Sequence, residues 1–270
     1  MSSTANSQFQ IVKERGWRRG LGNLLEGEYS SWFKSTRWLK HLLVWFLAIN
    51  GLMFIVIYGT QGEESPPFFQ MYGAFGGLFV AFGVMIIMQR VIIGEKRSGT
   101  AAWVLSKPVT RTAFVVSRLT VNSLAILLTA VVVPAVILYV TFGALTSLGW
   151  LSPLGFLAGL LMFVLHTFFW LTLVLMMGTL SDSSGVVIAV PMALFFALWF
   201  GPMMIPGLSD IVYVSPLLLT FSPLGTQMDS LAVSFMSGEP VFSWLPLIAT
   251  VVSCVALIAV AIWRFNRQEF

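Results

Sequence analysis

Six long apolar stretches, separated by short polar connections, leave this chain few ways to fold. They run over 42–58, 72–93, 119–142, 154–180, 186–205 and 241–263. A helix rises ~1.5 Å per residue and a bilayer core is ~30 Å thick, so about 17–25 apolar residues cross it as a helix. Strands of a membrane barrel would be about ten residues long and alternate in polarity. These stretches do neither. With 57% hydrophobic and 10% charged residues in a chain of 270, the composition also departs from a soluble domain, which has roughly 45–50% and about 25%. The expected fold is all-α: a polytopic membrane protein with six transmembrane helices. The spans form one domain over 42–263, with cytoplasmic segments at 1–41 and 264–270.

The basic residues set the orientation. With both termini inside, that side collects Lys13, Arg15, Arg18, Arg19, Lys34, Arg37, Lys40, Arg90, Lys96, Arg97, Lys107, Arg111, Arg118, Arg264 and Arg267, all 15 of the chain. The opposite loops hold Glu63, Glu64, Asp210, Asp229 and Glu239 and no basic residue. Positive segments resist translocation, so this asymmetry places both termini of a multi-pass protein in the cytoplasm, across the cell membrane. The net charge of +4 is thereby explained by topology, and nucleic acid is not an expected partner. Cys254, the single cysteine, allows neither an intrachain disulfide nor a cysteine metal site. The polar first forty residues show no cleavable signal, so the first span serves as its own insertion signal.

Two segments outside the spans have structure of their own. Leu21, Leu25, Tyr29, Trp32 and Thr36 recur at three-to-four spacing, with Leu24 and Phe33 beside them. That pattern predicts an amphipathic helix lying in the cytoplasmic interface, in contact with lipid. The stretch 201–240 is apolar but broken by Pro202, Pro206, Pro216, Pro223 and Pro240. Proline removes a helical hydrogen bond and clashes with the preceding turn, so short external or re-entrant helices are expected there.

Inside the spans no Asp, Glu, Lys or Arg falls near a midplane. Ion- and proton-coupled transporters place such groups there, at a cost of roughly 2.5–3.5 kcal/mol each, so a secondary transporter is disfavoured. His166 is the one ionisable side chain at depth, and its expected role is a neutral hydrogen bond to a neighbouring helix. Paired haem ligation would need a second histidine at that depth, whereas His41 lies at the edge of the first span. A serine nucleophile at Ser183-Ser184 lies more than about four turns along the helix from His166, so no enzyme is expected. Gly73 and Gly77, and Gly155 and Gly159, have the spacing that admits close helix packing.

The densest polar cluster lies between the second and third spans, over 94–111. Gly99 permits a sharp reversal, Thr100 can cap the next turn, and Ala101 to Leu105 are too few to span. Pro108 then stops the helix and Thr110 can cap the long one that follows. The result is a stiff cytoplasmic knuckle carrying Glu95, Lys96, Arg97, Trp103, Lys107 and Arg111. A loop that only holds topology would explain its charges but not this punctuation.

Here the sequence resembles a family. Glu95, Gly99-Thr100, Leu105, Pro108, Val109 and Arg111 are similar to the Glu…Gly-Thr…Leu…Pro-Val-Ser-Arg pattern of ABC-2-type transporter permeases, with Thr110 in place of the commoner serine. Gly178-Thr179-Leu180 followed by Ser183-Ser184-Gly185 is similar to a second recurring stretch there. The resemblance implies that the knuckle is a coupling helix docking on a separate ATPase dimer, and that the permease pairs with a second permease subunit. It assigns ATPase coupling to Glu95, Lys96, Arg97, Gly99, Thr100, Trp103, Lys107, Pro108 and Arg111. No Gly-x-x-x-x-Gly-Lys-Ser/Thr phosphate loop occurs in the chain. No cofactor is expected here, ATP being bound by the partner subunit.

The reading is therefore an exporter's permease subunit that moves a lipophilic or amphipathic substrate, since its walls are aromatic and aliphatic with almost no fixed charge. A hydrated ion would need carbonyls or charged rings in place of its water. The alternative is a non-transporting scaffold or assembly subunit, which a neighbouring reading frame for a phosphate-loop ATPase would disfavour. The topology makes a direct prediction. Single cysteines introduced near Glu63 and Asp229 label from outside, and those near Lys96 and Arg267 from inside. Cytoplasmic labelling at Asp229 would contradict it.

Overall fold

The computed structural model describes residues 14–59, 66–147, 149–205, 207–208, 214–221 and 230–268. Among these, every regular element is helical. After a 3-10 turn at Gly16–Arg18, α1 covers Leu21–Phe33. The helices long and apolar enough to cross a membrane are α2 (Arg37–Gly59), α3 (Pro66–Arg97), α5 (Arg111–Leu145), α6 (Pro153–Leu180), α7 (Ser184–Met204) and α9 (Leu245–Asn266). Between them sit the short α4 (Thr100–Leu105) and α8 (Leu231–Ser237), and a 3-10 turn at Pro216–Leu219. All six expected spans are present. The acidic residues expected on the outer side, apart from Glu239, lie outside the described residues.

Helix α6 is the axis of the bundle. Its most apolar window is 72% buried, against 17% for α7 and 22% for α9, so the other elements pack around it. Ser152 accepts from the Gly155 N–H at its start, and Pro153 takes the first helical position, where a missing N–H is harmless. Around it pack α3, α7, α8, α9 and the 3-10 turn. Helices α2 and α5 are each interrupted by one π turn, at Phe46–Asn50 and Leu127–Val132, and each turn packs against the other helix. An extra residue in the turn shifts the helix face that follows. In α2 it carries Asn50 into full burial, with both amide atoms unpartnered among the described residues.

The broken segment after α7 folds back into the protein. Leu217, Leu218 and Leu219 of the 3-10 turn and Leu231, Ala232, Val233 and Met236 of α8 are all buried. Short helices were expected here; their burial identifies what the glycine pairs are for. A side chain on Gly73 or Gly77 of α3 would run into Thr220, and one on Gly155 or Gly159 of α6 into the backbone or side chains of α8. The glycines thus admit the returning chain rather than another spanning helix. His166, midway along α6 and fully buried, fixes it in place. Its Nδ1 lies 2.9 Å from the Pro216 carbonyl, and its Nε2 lies 3.2 Å from both the Gly77 carbonyl and the Trp170 indole nitrogen.

These contacts predict unequal glycine tolerance. Gly77→Val meets Thr220 and Phe221 and should cost roughly 1–3 kcal/mol by overpacking. Gly27→Ala, with nothing within 4 Å, should be neutral or stabilising by up to about 1 kcal/mol. Thermal unfolding in detergent checks both; equal tolerance would show that α3 does not hold the returning segment this closely.

Candidate functional site

The knuckle is built from the end of α3. Glycine at 99, with φ +74°, turns the chain sharply between α3 and α4, as its sequence position suggested. The expected cap by Thr100 does not form: Gly99 is the N-cap residue and Thr100 begins α4, its hydroxyl 2.8 Å from that of Ser98. The Ser98 hydroxyl, besides meeting that of Thr100, accepts from the Thr100 N–H at 3.4 Å. After α4, the Val109 N–H donates to the Lys107 carbonyl at 2.7 Å across Pro108, closing a tight turn. Thr110 then caps α5, accepting from Ala113 N–H at 3.2 Å.

The singled-out residues divide into two sets. Glu95, Lys96, Arg97 and Arg111 point back into the protein. Lys96 donates to Asp182 at 2.8 Å and to the Gly178 carbonyl at 3.2 Å; Arg97 donates to the Asp182 carbonyl at 2.9 Å. Arg111 donates to the Asn266 carbonyl at the end of α9 at 2.6 Å. The Lys96 ammonium holds the Asp182 carboxyl below its usual range. The second set, Trp103, Lys107 and Pro108, is exposed, with the Lys107 ammonium 5.1 Å from the Trp103 ring centre. Thr100 and Gly99 are exposed as well. An isolated Trp 65% exposed on a short, firmly held helix is a surface suited to contact with another protein.

The strongest tie is one the sequence did not reveal. Arg118, one of the fifteen basic residues expected on the cytoplasmic side, is only 7% exposed and lies between two carboxylates. Its guanidinium pairs with Glu28 of α1 and, at 2.6 Å, with Glu95 of α3. One turn on, Asn122 donates to Glu28 at 3.2 Å and accepts from the Trp32 indole at 2.8 Å. Helix α1 is therefore locked onto α5 by a buried ion pair and a buried hydrogen bond. Of the stripe expected to lie in the interface, Tyr29 is exposed and Thr36 lies beyond the helix end. The inward face instead runs through Leu21, Leu25, Glu28 and Trp32, at three-to-four spacing. A glutamate belongs on that face because Arg118 waits for it. The signal was present in the spacing but needed the cation's position to be legible.

Magnitudes rank these contacts. Asp182 is 86% exposed, and such a surface pair contributes about 0–1 kcal/mol. Removing one member of a buried pair costs about 3–5 kcal/mol, because the remaining charge is stranded. The Arg118 cluster therefore dominates. Further polar contacts add registration: the Thr110 N–H donates to the Arg19 carbonyl at 3.2 Å and its hydroxyl to the Trp17 carbonyl at 2.5 Å. Phe114, beneath the Arg118 guanidinium, stacks on Phe265 of α9 at 5.2 Å.

Six spans with a punctuated knuckle after the second describe a multi-pass membrane protein. A profile for the ABC-2 family transporter proteins matches residues 7–270, nearly the whole chain. The protein belongs to that family, whose members are membrane components of transporters and not themselves catalytic. A search of curated proteins returned no match.

The cluster makes an asymmetric prediction. Arg118→Ala leaves Glu28 and Glu95 facing one another and should destabilise by about 3–5 kcal/mol. Glu28→Gln keeps the Arg118–Glu95 pair and should cost markedly less. Chemical unfolding in mild detergent, followed by near-ultraviolet dichroism, distinguishes them; equal losses would show that the guanidinium does not serve both carboxylates.

Proposed function

We propose that this permease is the transmembrane subunit of an ATP-driven exporter, pairing with a second permease subunit and with two copies of a separate ATPase. Both termini face the cytoplasm of the cell in whose membrane it sits. Helix α4, with the turn at Pro108, is the surface on which the ATPase docks. The observation that carries this reading is the two-sided character of the knuckle. Its outward side offers Trp103 and Lys107 to a partner, while its inward side is tied to α1, α5, α9 and the α6–α7 turn. A push on α4 is then transmitted to several spans at once, as rigid-body switching requires. A scaffold subunit would have no need for such a transmission. The cargo is lipophilic or amphipathic, because apolar walls favour burial by roughly 25 cal/mol per Å² and present almost no fixed charge to an ion.

Reconstitution with the ATPase tests the assignment. Gly99→Val, Pro108→Ala and Glu95→Ala should each leave ATP hydrolysis measurable while lowering transport per ATP, and lipids or hydrophobic peptides should stimulate hydrolysis where simple salts do not. Unchanged coupling in all three variants would reduce the knuckle to a topological loop. Stimulation by inorganic ions alone would overturn the cargo class.

A further inference from the structure

A second feature of the cytoplasmic end serves neither docking nor the Arg118 lock. Between the end of α3, α4, the α6–α7 turn and the last turns of α9 lies an open cavity of about 640 Å³. Lys96, Arg97, Arg264 and Arg267 line it together with Gln268, and Asp182 is the single carboxylate among its described lining residues. Gln268 is held by donating to the Thr179 carbonyl at 2.7 Å, and Lys96 by the Gly178 carbonyl and Asp182. The wall is thus fixed by hydrogen bonds while, among the described residues, four cations share one carboxylate. Such a concentration of charge favours an anion, and basic pockets between spans on the cytoplasmic side are sites for lipid headgroups.

The outer surface of α9 indicates which anion. Val252, Ala256, Val260, Trp263 and Arg267 follow one another at three-to-four spacing, and all are exposed. The stripe is apolar up to Trp263, a residue type that sits at headgroup level. The Arg267 guanidinium covers that indole at 4.5 Å. An apolar seat for acyl chains therefore leads directly into a cationic mouth.

We propose that this cavity binds the phosphate headgroup of an anionic phospholipid, with its acyl chains lying along the exposed stripe of α9. A free phosphate would use the same cations but gain nothing from the stripe, and an acidic protein segment would leave the stripe uncovered. The inference goes beyond the transport reading and does not depend on it.

The test is to purify the full chain in mild detergent and present phosphatidylglycerol, phosphatidylcholine or inorganic phosphate, counting retained lipid by native mass spectrometry. Phosphatidylglycerol should be retained about tenfold or more over phosphatidylcholine, and excess inorganic phosphate should not displace it. The double variant Arg264→Gln/Arg267→Gln should lose about tenfold of that preference, as expected for two cations near a headgroup. The single variant Arg97→Gln, at an exposed side chain, should lower it severalfold without risk to folding. Lys34→Gln/Lys40→Gln, outside the cavity, should retain it in full. Equal retention of both lipids, displacement by phosphate, or equal loss in the Lys34/Lys40 variant would each overturn the proposal. So would an Arg264/Arg267 variant that keeps its lipid preference but no longer co-purifies with the ATPase, which would assign the cavity to that partner.

Discussion

A guanidinium held between two carboxylates organises the knuckle end of this permease. Arg118 on α5 draws Glu28 of α1 and Glu95 of α3 to one point, and few other interactions join three separated parts of the chain. Removing charges from water is costly, so such a cluster adds little to stability by itself. Its value lies in what it forbids. Each partner would be stranded if the others moved away, so α1, α5 and the end of α3 shift together or not at all. The knuckle beyond Glu95 inherits that rigidity through Gly99, whose left-handed turn fixes the direction in which α4 projects.

At the other end of the bundle, shape does what charge does here. Glycines at 73, 77, 155 and 159 open a groove between α3 and α6, and the chain after α7 returns into it. His166 then bonds the Pro216 carbonyl from the centre of α6. Proline at 216 supplies no N–H but leaves its carbonyl free to accept, so the residue that breaks the helix also provides the anchor. The axis helix is thereby held midway along its length by a polar contact, and at its knuckle end by Lys96 and Gln268 reaching its last carbonyls.

Much of this was legible from the residues. Span count follows from the length of apolar runs, and the reversal at Gly99 and the cap at Thr110 follow from local backbone chemistry. What stayed hidden depends on distance in sequence. Glu28 reads as a solvent-facing residue until Arg118, ninety positions later, is known to lie opposite. The glycine pairs signalled close packing, but no local pattern names Thr220 or α8 as what approaches them. The π turns in α2 and α5 were equally invisible, because tertiary packing of one helix on the other selects them, not a sequence preference. Thr100 failed as a cap for a local reason: the left-handed glycine before it takes the cap position.

Amide hydrogen exchange in the full chain tests the shared rigidity most directly, comparing the wild type with Arg118→Ala and the charge-preserving Arg118→Lys. The account predicts that Arg118→Ala loses protection over residues 21–33 and 94–105 together, while α6 stays protected and Arg118→Lys recovers part of the loss. Loss confined to the turns around residue 118, or to only one of the two distant segments, would contradict the claim that one arginine holds α1 and the knuckle as a single body.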